Sequence, residues 1–180
     1  GTLEIWRSDP DGSNAVKLLP HANAADCSPD GKWIYFWPDG ETVYRVSPDG
    51  GAPAEILKLP SNDVGGLAVS PDGTRFAAAL ARGGVRAWDA HTGKKLLEDD
   101  TYAGPARRVV FDRRNRLYSA AADGHIRAYD VDGHRLLDRE PQPGLKPWGL
   151  ALSPDGALLA VAYENADRQG RLHVDVLATS

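Results

Sequence analysis

The residues able to do chemistry in this 180-residue sequence are few and scattered. Its one cysteine, Cys27, sits in Ala24-Ala25-Asp26-Cys27-Ser28. A lone thiol forms no internal disulfide and no zinc centre alone, and it is a strong nucleophile only where its surroundings favour the thiolate. We read it as a buried structural thiol, a common state of free cysteine. The histidines, His21, His91, His125, His134 and His173, never fall within a few residues of one another, so no local metal motif forms. His91, His125 and His134 lie in or beside turns and read as solvated. Asp9-x-Asp11-Gly12 and Asp130-x-Asp132-Gly133 match the start of a calcium loop but lack the later glutamate that completes one. Plain hairpin turns account for both. Gly65-Gly66-Leu67-Ala68-Val69-Ser70 has the wrong spacing for a nucleophile elbow, and Gly93-Lys94 lacks the earlier glycine of a phosphate loop. The densest charge cluster is Arg107, Arg108, Arg113, Arg114 and Arg116. One reading is a patch for an anion or acidic partner. Against it, Asp112 sits among these arginines, and strand alternation sends neighbours to opposite faces. A solvated surface is the preferred reading.

The elements that must carry these residues are short and turn-rich. Asp numbers 19 against 6 Glu, with 19 Gly and 13 Pro, so turn residues greatly outnumber helix formers and an all-helical fold is excluded. Hydrophobic residues make up 42% and charged residues 26%, enough for a core. The net charge of −4 argues against a general nucleic-acid binder. No apolar run approaches the roughly 18 residues of a membrane span, and no signal peptide is visible. With no methionine, Gly1 reads as something other than a native start, that of an excised domain or an engineered chain. No compartment is encoded.

Repetition organises the chain. Ser-Pro-Asp-Gly occurs at 28–31, 70–73 and 153–156, and Asp112-Arg113-Arg114-Asn115 is a weaker copy, giving spacings of 42, 42 and 41. A second turn series starts at residues 8, 47, 89 and 130, out of phase with the first. Between the turns lie short runs such as Arg75–Leu80, Val85-Arg86-Ala87-Trp88, Ile126-Arg127-Ala128-Tyr129 and Leu172–Val176, several alternating polar and apolar as half-buried strands do. About four strands per 42 residues predict an all-β fold, a β-propeller of four-stranded antiparallel blades. Blade units fall at about 22–60, 64–100, 105–140 and 147–177, with a partial blade at 1–20, in one propeller domain or a fragment of one. The reading gives two strands, then four, four, four and three, or 17 in all. That makes four to five blades, closed by the chain's own termini or completed by a second chain, with unpaired edges able to self-associate.

The phrases LEIWRSDPDGSNAVKLL and SPDGKWIYFWPDGETVYRVSPDGG resemble bacterial TolB-like propeller repeats. GLAVSPDGTRFAAALARGGVRAWDAHTGKKLLE and RLYSAAADGHIRAYDVDGHRLL resemble WD repeats. A bacterial source and a chimeric or designed chain both fit this mixture. The resemblance departs at Tyr102, which stands where WD repeats usually carry a histidine, so their histidine-linked buried network is expected to be absent. Trp88-Asp89 keeps the Trp-Asp pair, and Tyr129-Asp130 replaces it in the next blade.

In related propellers, ligands bind at the ring end built from the loops entering first strands and joining second to third strands. Mapped by phase, those loops carry the candidate binding residues His21, Trp37, Arg82, Tyr102, Trp148 and Tyr163, with Glu164 beside them. Aromatic and arginine side chains are frequent binding hot spots. Trp37 shares one strand face with Trp33 and Tyr35, which equally fits packing, and Trp6 and Trp88 read as packing between blades. The resemblance speaks for the fold more than for a function, since such propellers host many tasks. With no catalytic or metal motif in the sequence, we expect a non-catalytic scaffold for a protein or peptide, with no cofactor, no metal, no catalytic residue, no nucleic acid and no membrane. Two alternatives stay open. A metal-dependent lactonase of the gluconolactonase type has a phrase similar to Pro147–Pro154, but with an asparagine ligand where Trp148 stands. The other alternative is an excised or engineered piece that keeps no native function and assembles into a ring.

Overall fold

A computed structural model of the chain describes residues 4–22, 25–38, 41–59, 64–164 and 174–179. His173 and the first residues of the strand expected from Leu172 lie outside them. The described residues form 17 strands and no helix, hence none long and apolar enough to cross a membrane. The strands make five antiparallel sheets of two, four, four, four and three strands, as the turn spacing predicts. They fall in two compact units, residues 1–62 and 63–180.

In the first unit, β1 (Ile5–Arg7) pairs with β2 (Val16–Leu19). A four-stranded meander follows: β3 (Ala25–Cys27), β4 (Ile34–Phe36), β5 (Thr42–Val46) and β6 (Ala54–Lys58). Leu19, Ala22, Ile34, Phe36 and Val46 form its core, with Tyr44 stacked on Phe36 at 5.7 Å. Two expectations are corrected here. Cys27 is exposed, because edge strand β3 turns both its end residues to solvent. Trp6 is 53% exposed, since the narrow β1–β2 pair does not cover it, and its indole Nε1 donates to Glu4 at 3.0 Å.

The second unit has two four-stranded meanders and a three-stranded one. They are β7 (Val64–Val69), β8 (Arg75–Leu80), β9 (Gly84–Asp89) and β10 (Lys95–Asp99); then β11 (Ala106–Phe111), β12 (Leu117–Ala121), β13 (Ile126–Tyr129) and β14 (Arg135–Arg139). β15 (Lys146–Leu152), β16 (Leu158–Glu164) and β17 (Val174–Ala178) follow. The middle sheet is covered on both faces. Leu117 and Tyr129 join Ala77, Ala79, Val85 and Leu97 of the preceding sheet. Tyr118, Ala120, Ile126 and Ala128 join Leu159, Val161 and Tyr163 of the following one. Side chains of successive strand residues point to opposite faces, so one strand feeds both cores. Coverage on both sides also explains why every residue of β12 (Leu117–Ala121) is buried. Each large apolar side chain buried this way contributes about 1.5–3 kcal/mol. Trp88 is buried, stacked on Phe76 at 5.1 Å.

The repeated tetrapeptide builds one turn three times. In 70–73, Gly73 N–H donates to the Ser70 carbonyl at 2.8 Å, the Ser70 hydroxyl donates to Asp72 at 2.6 Å, and Arg75 N–H donates to that hydroxyl at 3.0 Å. Ser28 and Ser153 make the same bonds. In the weak copy, the Asp112 carboxylate replaces the serine hydroxyl, accepting from Arg114 N–H and Arg116 N–H at 2.8 Å. Asn115 there adopts the left-handed backbone (φ 59°) that Gly73 adopts at 70°. Asparagine tolerates that region better than most side chains.

Candidate functional site

Antiparallel alternation gathers the β8–β9, β10–β11, β12–β13 and β14–β15 loops at one end of the second unit's sheets. A pocket of about 200 Å³ opens there, lined by Arg82, Gly83, Gly84, Asp100, Tyr102 and Gly104 among others. It brings together two of the candidate binding residues, Arg82 and Tyr102. The wall is tight. Gly84 has φ +64°, and a Cβ on it would stand 1.9 Å from the Asp99 carbonyl oxygen, so only glycine fits.

Beneath the pocket lies a buried polar network. The Tyr102 hydroxyl is 2.7 Å from both the Ser119 hydroxyl and the Tyr129 hydroxyl. Tyr129 donates to the Asp99 carboxylate at 2.8 Å. Asp99 also accepts from Thr101 N–H at 3.0 Å and from Arg135. The Arg127 guanidinium lies 4.1 Å over the Tyr102 ring and pairs with Asp123 at 2.8 Å. The Tyr102 hydroxyl stands at the centre of this network, between Ser119 and Tyr129. Burial raises the Asp99 carboxyl, yet the bonds from Thr101, Tyr129 and Arg135 outweigh it and hold it at about 2. Burial pushes the Tyr102 hydroxyl up to about 12, and pushes Tyr129 well above the tyrosine range.

Trp148 belongs to the same end, near the start of β15. It is 52% exposed, with the Arg107 guanidinium 4.4 Å from its ring. Arg107 in turn pairs with Glu164 at 2.9 Å. The indole is thus open to solvent while its plane is braced. Tyr163 also lies at this end of β16, but its side chain is buried and donates to Asp175 at 3.1 Å. Burial, then the Asp175 carboxylate, raises its hydroxyl.

In the first unit, Trp37 is 5% exposed. His21 is exposed and borders an apolar pocket of about 210 Å³ with Phe36, Pro38, Tyr44 and Pro53. His125 corrects another expectation: it is half-buried and bonded to Asp138 at 2.6 Å, because the β12–β13 loop folds it against β14. Asp130, Asp132 and His134 bring possible ligand atoms within 4.8 Å of one another. The Asp130 carboxylate is already bonded to Asp132 N–H, His134 N–H and the His134 ring, which are the bonds of a turn.

The sequence pattern missed Arg107 as the brace of Trp148, and missed Asp99, Ser119 and Tyr129 as partners of Tyr102. The Arg107-to-Trp148 separation, near one repeat length, was the available signal.

No family model matches the chain. The periodic tryptophan protein 2 homolog of Dictyostelium discoideum is 29% identical over 123 residues, covering 62% of this chain and 13% of that protein. Among solved structures, the β-propeller domain of Cps50 (Swd1) from Myceliophteria thermophila matches at TM-score 0.69 and 16% identity, over 86% of this chain and 51% of that one. A chain of the mitotic checkpoint complex matches at TM-score 0.71 and 21% identity, over 87% and 47%. The computationally designed Ika8 protein matches at TM-score 0.72 and 16% identity, over 99% and 52%. The chain therefore spans about half of these structures and about an eighth of the curated relative. Meandering antiparallel sheets of up to four strands, packed face on face in the second unit, together with these matches, make the fold a β-propeller.

Proposed function

We propose that the chain is a non-catalytic scaffold that binds a protein or peptide at the end of the second unit carrying Arg82, Tyr102 and Trp148. Trp148 carries the reading. A large aromatic side chain left half in solvent, yet held by Arg107 and Glu164, offers apolar area that needs little ordering on binding. The pocket with Arg82 and Tyr102 supplies a polar recess at the same end. Tyr163, buried behind this face, supports it from below; in the first unit Trp37 is buried and serves packing, and His21 alone of the candidates there is open to a partner.

Random 12-mer peptides displayed on phage and selected on the intact protein test the reading. Selected peptides are expected to bind in solution, and Trp148→Ala is expected to weaken them by about tenfold or more. Equal binding by Trp148→Ala rules this face out.

A second reading rests on a different observation. β17 is the outer strand of a three-stranded sheet, with Val174 and Val176 57% and 61% exposed. An exposed apolar edge is a template for pairing, and an antiparallel pair of β17 strands from two copies is self-complementary.

A further inference from the structure

The opposite end of the second unit's sheets carries a separate feature. The 112–116 and 153–157 turns and the end of β17 enclose a pocket of about 490 Å³, within the usual size of ligand sites. Arg113, Arg114 and Arg116 line it, against two carboxylates, Asp112 and Asp155. Both carboxylates are already engaged. Asp112 accepts from two backbone N–H groups and from Arg116 Nε at 2.6 Å, and is itself 3% exposed. Asp155 Oδ1 accepts from the Ser153 hydroxyl and Ala157 N–H.

The arginines differ. Arg116 is fixed, donating to Asp112 and to the Thr179 carbonyl at 2.9 Å, with its guanidinium 5.7 Å from the Tyr118 ring. Arg113 and Arg114 are exposed, and neither guanidinium has a hydrogen bond or ion pair among the described residues. They stand at turn positions where the other three copies of the turn carry Pro and Asp. A turn that needs neither charge for its own bonds thus presents two guanidiniums with no hydrogen bond or ion pair among the described residues, beside a third that is preoriented. The bonds from Ser153 and Ala157 hold the Asp155 carboxyl below its usual range, and the Arg113 charge is near enough to help.

We propose that this pocket binds an oxyanion, a phosphate or carboxylate group, through Arg113, Arg114 and Arg116. Planar guanidinium forks match oxyanion geometry with paired hydrogen bonds. Arg113 and Arg114 close on the ligand, while Arg116 marks the floor. This site is separate from the Trp148 face and stands or falls apart from it.

Calorimetric titration of the intact protein with two probes, pyrophosphate and a hexaglutamate peptide, tests the inference. The expected result is saturable binding of at least one probe with one site per chain. Arg113→Ala/Arg114→Ala is expected to weaken it by about tenfold or more, and Arg113→Lys/Arg114→Lys by less, because the charge remains and the fork is lost. Lys94→Ala, which removes an exposed cation from another turn at the same end, is expected to leave it unchanged. Preference between the probes identifies the phosphate or carboxylate source. Circular dichroism checks that the alanine variant is folded, which the backbone and Asp112 bonds of the turn favour. Failure of both probes to saturate by about 10 mM overturns the proposal. So does equal binding by the double alanine variant, or an equal loss in Lys94→Ala.

Discussion

At the residue scale the buried network decides most. Tyr102 joins the network through its hydroxyl, which meets both Ser119 and Tyr129. Tyr102→Phe keeps the ring under Arg127 but removes the partner of Ser119, which is fully buried, and of Tyr129. A loss of about 1–3 kcal/mol is expected, read as a lower melting temperature. The pH dependence follows from the same group. A hydroxyl raised to about 12 favours the neutral form in the folded state, so its contribution is complete below about 10 and is lost as pH rises through 12. Asp99, held at about 2, contributes fully above about 4 and loses that contribution as pH falls towards 2. Thermal melts across both ranges should show both slopes, with the alkaline one reduced in Tyr102→Phe. Tyr102 and Arg82 were legible as candidates because their loops follow from repeat phase. Asp99, Ser119 and Tyr129 were not, because their side chains meet only once the facing register of two sheets is known, and a period of 42 leaves that register open.

At the element scale the turns were the most legible feature, since their chemistry is local. Ser-Pro-Asp-Gly contains its own hydrogen-bond partners, so its recurrence placed strands on either side without any tertiary information. The serine and the glycine do different work, which substitution separates. Ser70→Ala removes the acceptor for Arg75 N–H and the donor to Asp72 at a fully buried position, and is expected to cost about 1–2 kcal/mol. Gly73→Ala meets no neighbouring atom within 4 Å, so its cost, about 1 kcal/mol, is that of the left-handed backbone alone. Urea unfolding of both variants checks the pair. A Gly73→Ala protein as stable as the parent would mean that the turn relaxes out of the left-handed region. Burial was less legible than pairing. Alternation shows that Cys27 and Asp26 face opposite ways, but not which face another element covers, so Cys27 and Trp6 were assigned to interiors that the first unit does not provide.

For the whole molecule, repetition gave the class of fold while leaving association open. The second unit's cores form where one sheet lies on the next, so a sheet at the end of the series has a face and an edge with no strand of that unit beyond them. β17 is such an edge. Its backbone groups on that side have no ladder partner among the described strands, and its exposed valines would meet their own copies in an antiparallel β17 pair. Such a pair would raise the mass in solution from 19.4 kDa to twice that value. Val176→Lys places a charge opposite its own copy near the centre of that pair, where like charges repel, and should return the mass to 19.4 kDa without loss of the fold, because the side chain points to solvent. Light scattering on both proteins reads the difference. A parent chain that stays at the single-chain mass at high concentration would exclude pairing through β17, because a self-complementary edge must associate more as concentration rises.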